Sequence, residues 1–257
     1  MEYPEIDKYA SLKSPIHKFD PRAKVLTFSS LIFLFVFVDD ILLATINLIF
    51  AFTLLLISRL PLGFVFDRMK PVFLFVLPIL VIMSLTVEGS ELVRICGVAV
   101  SYEGVRYGTL ITARAIAAVT LALTMLGTMR FDTTIKALYM LKVPGTLVQM
   151  MMFTYRYIFV LLYEFSRMRR AMSCKGFVLK ANRYALSMLG NLLGMLIVKS
   201  YERALRVHKS MISKGYTGSP GTITQFNMAV KDYVLAVSII GTAILLRMYS
   251  VILSVVS

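Results

Sequence analysis

The chain is 257 residues long and 58% hydrophobic, with a mean hydropathy of +0.77. Soluble domains carry about 45–50% apolar residues, so this composition excludes a self-contained water-soluble globule and makes the bilayer part of the solvent. Its 28 lysines and arginines against 14 acids give a formal charge of +14. With no basic-aromatic module beside it, this excess reads as the topological bias of a membrane protein, not as a nucleic-acid surface.

Residues 1–24 are polar and mixed in charge, unlike a cleavable signal peptide, so the first apolar helix is expected to direct insertion. Apolar runs follow at Val25–Val38, Ile41–Ile57, Val72–Val87, Thr109–Met129 and Val234–Leu246. A helix needs about 20 residues to cross the hydrocarbon, so several runs must borrow flanking residues or a packed partner. Only Asp39-Asp40 separates the first two, and carboxylates are costly at the membrane centre. A tight helical hairpin with the aspartates at its tip is predicted. Pro78 interrupts the third run as a structural kink. Arg114, inside the fourth, either snorkels to the headgroups or pairs with a partner's carboxylate.

With the N-terminus in the cytoplasm, segments 1–24, 58–71 and 130–231 hold every lysine and arginine except Arg94, Arg106, Arg114 and Arg247. The reverse orientation would translocate nearly all of that charge. The N-terminus and 130–231 are therefore expected to be cytoplasmic in a multi-pass protein of the plasma membrane. Two apolar stretches within 130–231 are ambiguous. Val143–Phe165 carries Arg156 and three tyrosines, and Tyr184–Val198 contains Asn191 and the Gly190-x-x-x-Gly194 spacing that lets helix backbones approach. A crossing at 184–198 would put two copies of a repeat on opposite faces of the membrane, so both stretches read as interfacial or cytoplasmic helices.

That repeat is Arg167-Met-Arg-Arg-Ala-Met-Ser-Cys-Lys-Gly-Phe177 and Arg206-Val-His-Lys-Ser-Met-Ile-Ser-Lys-Gly-Tyr216. Ile158, Leu161, Phe165, Met168 and Met172 form a helical apolar stripe, and Tyr201, Leu205, His208 and Ile212 a second one. Arg203, Arg206 and Lys209 are expected to face away from the second seam. Gly176 and Gly215 suit the left-handed position after a helix, with Lys175 and Lys214 at the negative end of its dipole. One such ending is an ordinary stop signal. Two in register, sharing Met, a small residue, Lys, Gly and an aromatic, point to a shared task.

The entry His17-Lys-Phe-Asp-Pro-Arg-Ala-Lys-Val-Leu26, the stretch Thr154-Tyr-Arg-Tyr-Ile-Phe-Val-Leu-Leu-Tyr-Glu-Phe-Ser-Arg-Met-Arg-Arg-Ala171, and Ser200-Tyr-Glu-Arg-Ala204 resemble the transmembrane T component of energy-coupling factor transporters, in its cobalt-type CbiQ branch (CbiQ/EcfT family). The family ends each coupling helix in an Ala-Arg-Gly-type motif. This chain has Cys174-Lys175-Gly176 and Ser213-Lys214-Gly215. Lysine keeps the charge but loses the planar fork that binds a carboxylate bidentately.

The resemblance implies an all-α polytopic membrane protein. Its transmembrane helices, about five by length, would occupy 1–129 and 232–257, with a coupling-helix region over 130–231. It implies docking of two cassette ATPases on Arg169, Arg170, Cys174, Lys175, Gly176, Lys209, Ser213, Lys214 and Gly215. Arg156, Glu164, Arg167, Glu202, Arg203 and Arg206 would support the coupling helices. A small substrate-capture (S-type, CbiM-like) membrane subunit and a CbiN-like small subunit complete the implied partners, with cobalt or nickel as cargo; the alternative is a T component shared among vitamin-capture subunits. ATP and Mg would be used by the partner ATPases, and no cofactor is expected on this chain.

The residues agree where they speak. No phosphate-binding Gly-x-x-x-x-Gly-Lys-Ser/Thr loop occurs. The cysteines, Cys96 and Cys174, and the histidines, His17 and His208, are too scattered for a disulfide framework or metal cluster. A lipid-modifying membrane enzyme, the rival class, would need clustered carboxylates or a nucleophile beside a base, and the acids here are dispersed. Glu164 and Glu202 read as balancing neighbouring arginines, and Met150-Met-Met152 and His208 as packing residues.

Overall fold

The computed structural model describes residues 9–10, 12, 14–87, 90–95, 98–178, 180, 182–216, 218 and 230–256; Cys96 and the stretch 219–229 of the expected coupling region lie outside them. Helix α1 spans Pro21–Val36. The Asp20 carboxylate accepts from the Arg22 backbone N–H at 2.8 Å and Pro21 occupies the first turn, so the Asp-Pro-Arg stretch is a local start signal. Helix α2, Ile41–Ser58, follows directly on Asp40, so the aspartates occupy the turn as expected. The hairpin is not tight, however: α1 and α2 meet through side chains such as Phe35 and Phe50, and each packs mainly along the later helix Tyr102–Gly127. It ends at Arg59 in the left-handed region.

Helix α3, Leu62–Thr86, runs through both Pro71 and Pro78. A short antiparallel hairpin, β1 (Glu91–Ile95) and β2 (Val98–Ser101), then leads into α4, Tyr102–Gly127. Ser101 stitches this junction. Its hydroxyl accepts from Gly104 N–H at 2.9 Å and donates to the Val87 carbonyl at 2.6 Å. Helices α5 (Phe131–Met140), α6 (Gly145–Cys174), α7 (Arg183–Ser213) and α8 (Val230–Val256) complete the chain.

The molecule divides into two compact units, Met1–Ala137 with Thr224–Ser257, and Leu138–Ile223. In the first, Phe28, Leu31 and Phe35 of α1 pack in one cluster with Ala51, Ala117 and Ala243 of α2, α4 and α8. Large side chains against alanines bring helix axes close, the usual solution where lipid supplies no hydrophobic drive between helices. Closest approach is at α3 and α4. A Cβ on Gly104 would lie 2.5 Å from the Met83 carbonyl oxygen, and one on Gly108 3.2 Å from that of Leu80. The small-residue spacing that works as a helix contact is thus Gly104/Gly108. Around Gly190 and Gly194, where sequence spacing predicted one, a Cβ meets nothing within 4 Å.

Four helices among the described residues, α2, α3, α4 and α6, are long and apolar enough to cross a membrane. Helix α6 is the addition to the sequence reading, which set its apolar half beside the membrane. From Gly145 on, this stretch is part of a 30-residue helix of spanning length and composition, whereas α1 and α8, which carry the predicted runs Val25–Val38 and Val234–Leu246, are not among the four.

Candidate functional site

The two copies of the repeat fold into the same backbone device. At the end of α6, Phe177 N–H donates to Met172 C=O at 3.1 Å and Gly176 N–H to Ser173 C=O at 3.0 Å. At the end of α7, Tyr216 N–H donates to Met211 C=O at 3.0 Å and Gly215 N–H to Ile212 C=O at 2.9 Å. Both are Schellman caps, closed by Gly176 at φ 82° and Gly215 at φ 80°. The cap explains three members of the repeat. Methionine supplies the carbonyl three residues inside the end, glycine takes the left-handed turn, and the aromatic follows as the residue that donates back. Lysine and the small residue remain.

Both lysines are free. Lys175 and Lys214 occupy the cap positions, are exposed, and have no carboxylate partner among the described residues. Arg169, Arg170 and the free thiol of Cys174 are exposed on the same last turns of α6, as are Lys209, Ser213 and Gly215 on α7. The Ser213 hydroxyl is spent on the Lys209 carbonyl at 2.8 Å. Among the described residues no side chain crowds either glycine, and the positive backbone angle is what favours glycine there.

Helices α6 and α7 are clasped at two points. Tyr216 hydroxyl hydrogen-bonds Gln149 at one end. At the other, the Glu164 carboxylate accepts from Lys199 at 2.6 Å and from Arg167 at 3.0 Å. The paired positions run in opposite chain senses, so the helices are antiparallel here. Gly176 therefore lies beyond the Glu164–Lys199 clasp and Gly215 beside the Gln149–Tyr216 clasp. At ~1.5 Å per residue the two caps stand on the order of 40 Å apart, facing opposite ends of the pair. The two basic ends are thus well separated.

The support residues divide. Glu164 is central to the second clasp, as a partner of Arg167 and of Lys199, a residue with no sequence signal because its partner sits on another helix. Glu202 meets Arg206 at 3.9 Å on the exposed surface of α7. Arg156 stacks toward the Tyr157 ring at 5.8 Å. Arg203 departs from expectation. It lies half-buried on the packed line of α7 with Leu192, Leu196, Val207 and Met211, whereas the predicted seam of Tyr201, Leu205, His208 and Ile212 is exposed. Both lines have helical period and apolar members, so periodicity could not choose between them. On α6 the predicted stripe is half-buried from Leu161 to Met172, with Ile158 exposed.

Two contacts in the first unit bear on the other singled-out residues. Arg114 pairs at 3.0 Å with Asp39 of the α1–α2 tip, a carboxylate of its own chain. Lys24, from the entry motif, is buried and donates to the Thr128 carbonyl at 3.3 Å, closing the C-terminus of α4.

Comparison with known proteins follows this geometry. Residues 12–225 match the CbiQ family, described as cobalt transport protein. The chain is 27% identical to the energy-coupling factor transporter transmembrane protein EcfT of Heliobacterium modesticaldum, over 95% of this chain and 96% of that protein. It is 30% identical to EcfT of Bacillus subtilis over 94% of this chain and 96% of its relative, and 26% identical to EcfT of Staphylococcus aureus over 94% and 95%. Because the match runs from the entry motif through both caps, it is a likeness of the whole architecture: the chain belongs to the CbiQ/EcfT family, the transmembrane T components of energy-coupling factor transporters.

Proposed function

We propose that this T component is a non-catalytic coupling subunit, which passes ATP-driven movement from two cytoplasmic ATPases to a separate substrate-capture membrane subunit. The carrying observation is the pair of identical caps, each presenting an exposed, unpaired lysine at the negative end of a helix about 30 residues long. Each basic end fits an acidic groove, one per ATPase. Movement of the grooves would swing the helices about their Glu164–Lys199 and Gln149–Tyr216 clasps as levers. ATP and Mg belong to the partners in this reading. The positive charge of 130–231 supports a position for that region, with the N-terminus, on the cytoplasmic side of the plasma membrane.

Cobalt or nickel is the cargo favoured by the family description, with a CbiM-like capture subunit and a CbiN-like small subunit as partners. The second reading, a T component shared by several vitamin-capture subunits, is favoured by the full-length likeness to proteins named EcfT. Lys175→Glu combined with Lys214→Glu is expected to abolish co-purification of the ATPases from native membranes while membrane insertion persists. Undiminished co-purification would remove the docking role. The capture subunits recovered with the unmodified chain, metal-binding or vitamin-binding, separate the two cargo readings.

A further inference from the structure

Between the two clasps, α6 and α7 do not close on each other. They leave a groove of about 590 Å³, walled by Met150, Phe153 and Leu161 on one side and Ala204, Val207 and Met211 on the other. Its length on α6, from Thr146 to Leu161, is about 22 Å at the helical rise. That exceeds the roughly 15 Å of a single leaflet's hydrocarbon, half of a bilayer core.

A second hollow of about 610 Å³ adjoins it, sharing Phe153, Tyr157, Arg203, Val207 and Met211 as walls. Arg156, Arg203, Arg206 and Lys214 line this hollow, and no acid does. Arg156 and Arg203 have no carboxylate partner among the described residues, and Arg206 reaches Glu202 only at 3.9 Å. Cations gathered without an acid repel one another, and an anion relieves that cost. An apolar slot of acyl length opening onto a cluster of arginines matches one kind of molecule, apolar along its length and anionic at one end. Helix α6, which forms one wall, is itself apolar and long enough to enter the bilayer.

We propose that this groove binds an anionic phospholipid, with an acyl chain along the slot and the phosphate among Arg156, Arg203 and Arg206. The lipid would fill the gap between the two helices and hold their spacing. The site is separate from the exposed cap lysine of α6, and it is read by lipid binding to the chain itself, so failure of the ATPase-docking reading leaves its test intact.

The chain has no tryptophan, so a single introduced indole is a clean reporter. Phe153→Trp places it in the slot and Tyr201→Trp on the exposed face of α7. Each full-length protein is reconstituted in phosphatidylcholine vesicles containing increasing fractions of acyl-brominated phosphatidylglycerol or acyl-brominated phosphatidylcholine. For Phe153→Trp, half-quenching is expected at about fivefold lower fraction of the anionic lipid, the factor for one basic residue's attraction to an anionic headgroup. Tyr201→Trp is expected to show no such preference, and adding Arg156→Gln with Arg203→Gln to Phe153→Trp is expected to erase it. Equal quenching by both lipids overturns the proposal. So does absence of quenching, as when an acidic partner helix fills the groove, and so does a preference that survives the double substitution. If the double variant does not fold, salt gives the same answer. Raising ionic strength to about 1 M shortens screening to roughly 3 Å, and a preference unchanged there overturns the site.

Discussion

In the unit formed by Met1–Ala137 and Thr224–Ser257, phenylalanines and leucines pack against alanines, and α3 meets α4 through Gly104 and Gly108. In the unit Leu138–Ile223, two helices of 30 and 31 residues bury only Val148, Ala185 and Leu192. Many of their other apolar side chains stay exposed, among them Ile197 at 67% and Ile212 at 57%. The first unit gets its order from its own packing. The second has ends held by local backbone caps, a middle held by two polar clasps, and surfaces left for lipid or other subunits. A T component in a multi-subunit transporter needs both, a membrane body that keeps its shape and a pair of helices whose positions partners can set.

The contrast can be broken most directly with one residue type in two places. Gly104→Val drives a side chain into the Met83 carbonyl and should destabilise the protein by about 3 kcal/mol or more. Gly190→Val, in open space inside α7, should be neutral or gain a few tenths of a kcal/mol, because valine is a better helix former than glycine. Thermal unfolding in detergent compares them, and similar losses would refute the packing difference. A smaller effect, about 1–2 kcal/mol confined to the helix end, is expected for Gly176→Val, because a side chain resists φ 82° even where space is free. Faster amide exchange at Gly176 and Phe177, with α7 unchanged, is the measurement.

Asp39→Asn removes the partner of Arg114. The aspartate side chain is 98% exposed, so the loss should stay below about 1 kcal/mol. A larger drop in thermal midpoint would show that the tip is a structural lock. The smallest effect concerns the entry turn. His17 lies 2.7 Å from the Ser14 hydroxyl through Nδ1 and 3.1 Å from the Tyr9 carbonyl through Nε2; in its neutral form Nε2 donates to that carbonyl and Nδ1 accepts from the hydroxyl. Burial, opposed by the Tyr9 bond and reinforced by the charge of Lys24, lowers its pKa below 6.5. The unfolded chain then takes up a proton first, so this contribution is complete above pH 6.5 and is lost as pH falls toward the folded value. Across that window the unmodified protein should lose more thermal stability than His17→Gln, and parallel profiles would refute the effect.

Much of the site was readable because its parts are local. A Schellman cap needs a helix, a glycine and a following residue, all within six positions, so Gly176 and Gly215 were visible by type and spacing alone. The same locality shows that shared methionine and aromatic residues belong to the cap, which narrows the repeat's functional content to its exposed basic residues. The clasp through Lys199 and the placement of Arg203 had no comparable signal. Both depend on which side of α7 meets α6, and two apolar lines of equal period were available.

The sequence by itself determined the membrane class, the family, the turn at Asp39-Asp40 and the ends of α6 and α7. Each follows from composition or from chemistry within a turn or two of the chain. Only the tertiary structure decided that Arg114 pairs with Asp39, that Gly104 and Gly108 rather than Gly190 and Gly194 carry a close helix contact, and that Arg203 turns inward over a groove. The reason is physical. In a bilayer, lipid is as apolar as a protein core, so hydrophobic pattern no longer separates inside from outside, and helix faces are assigned by steric fit and polar pairing between distant segments.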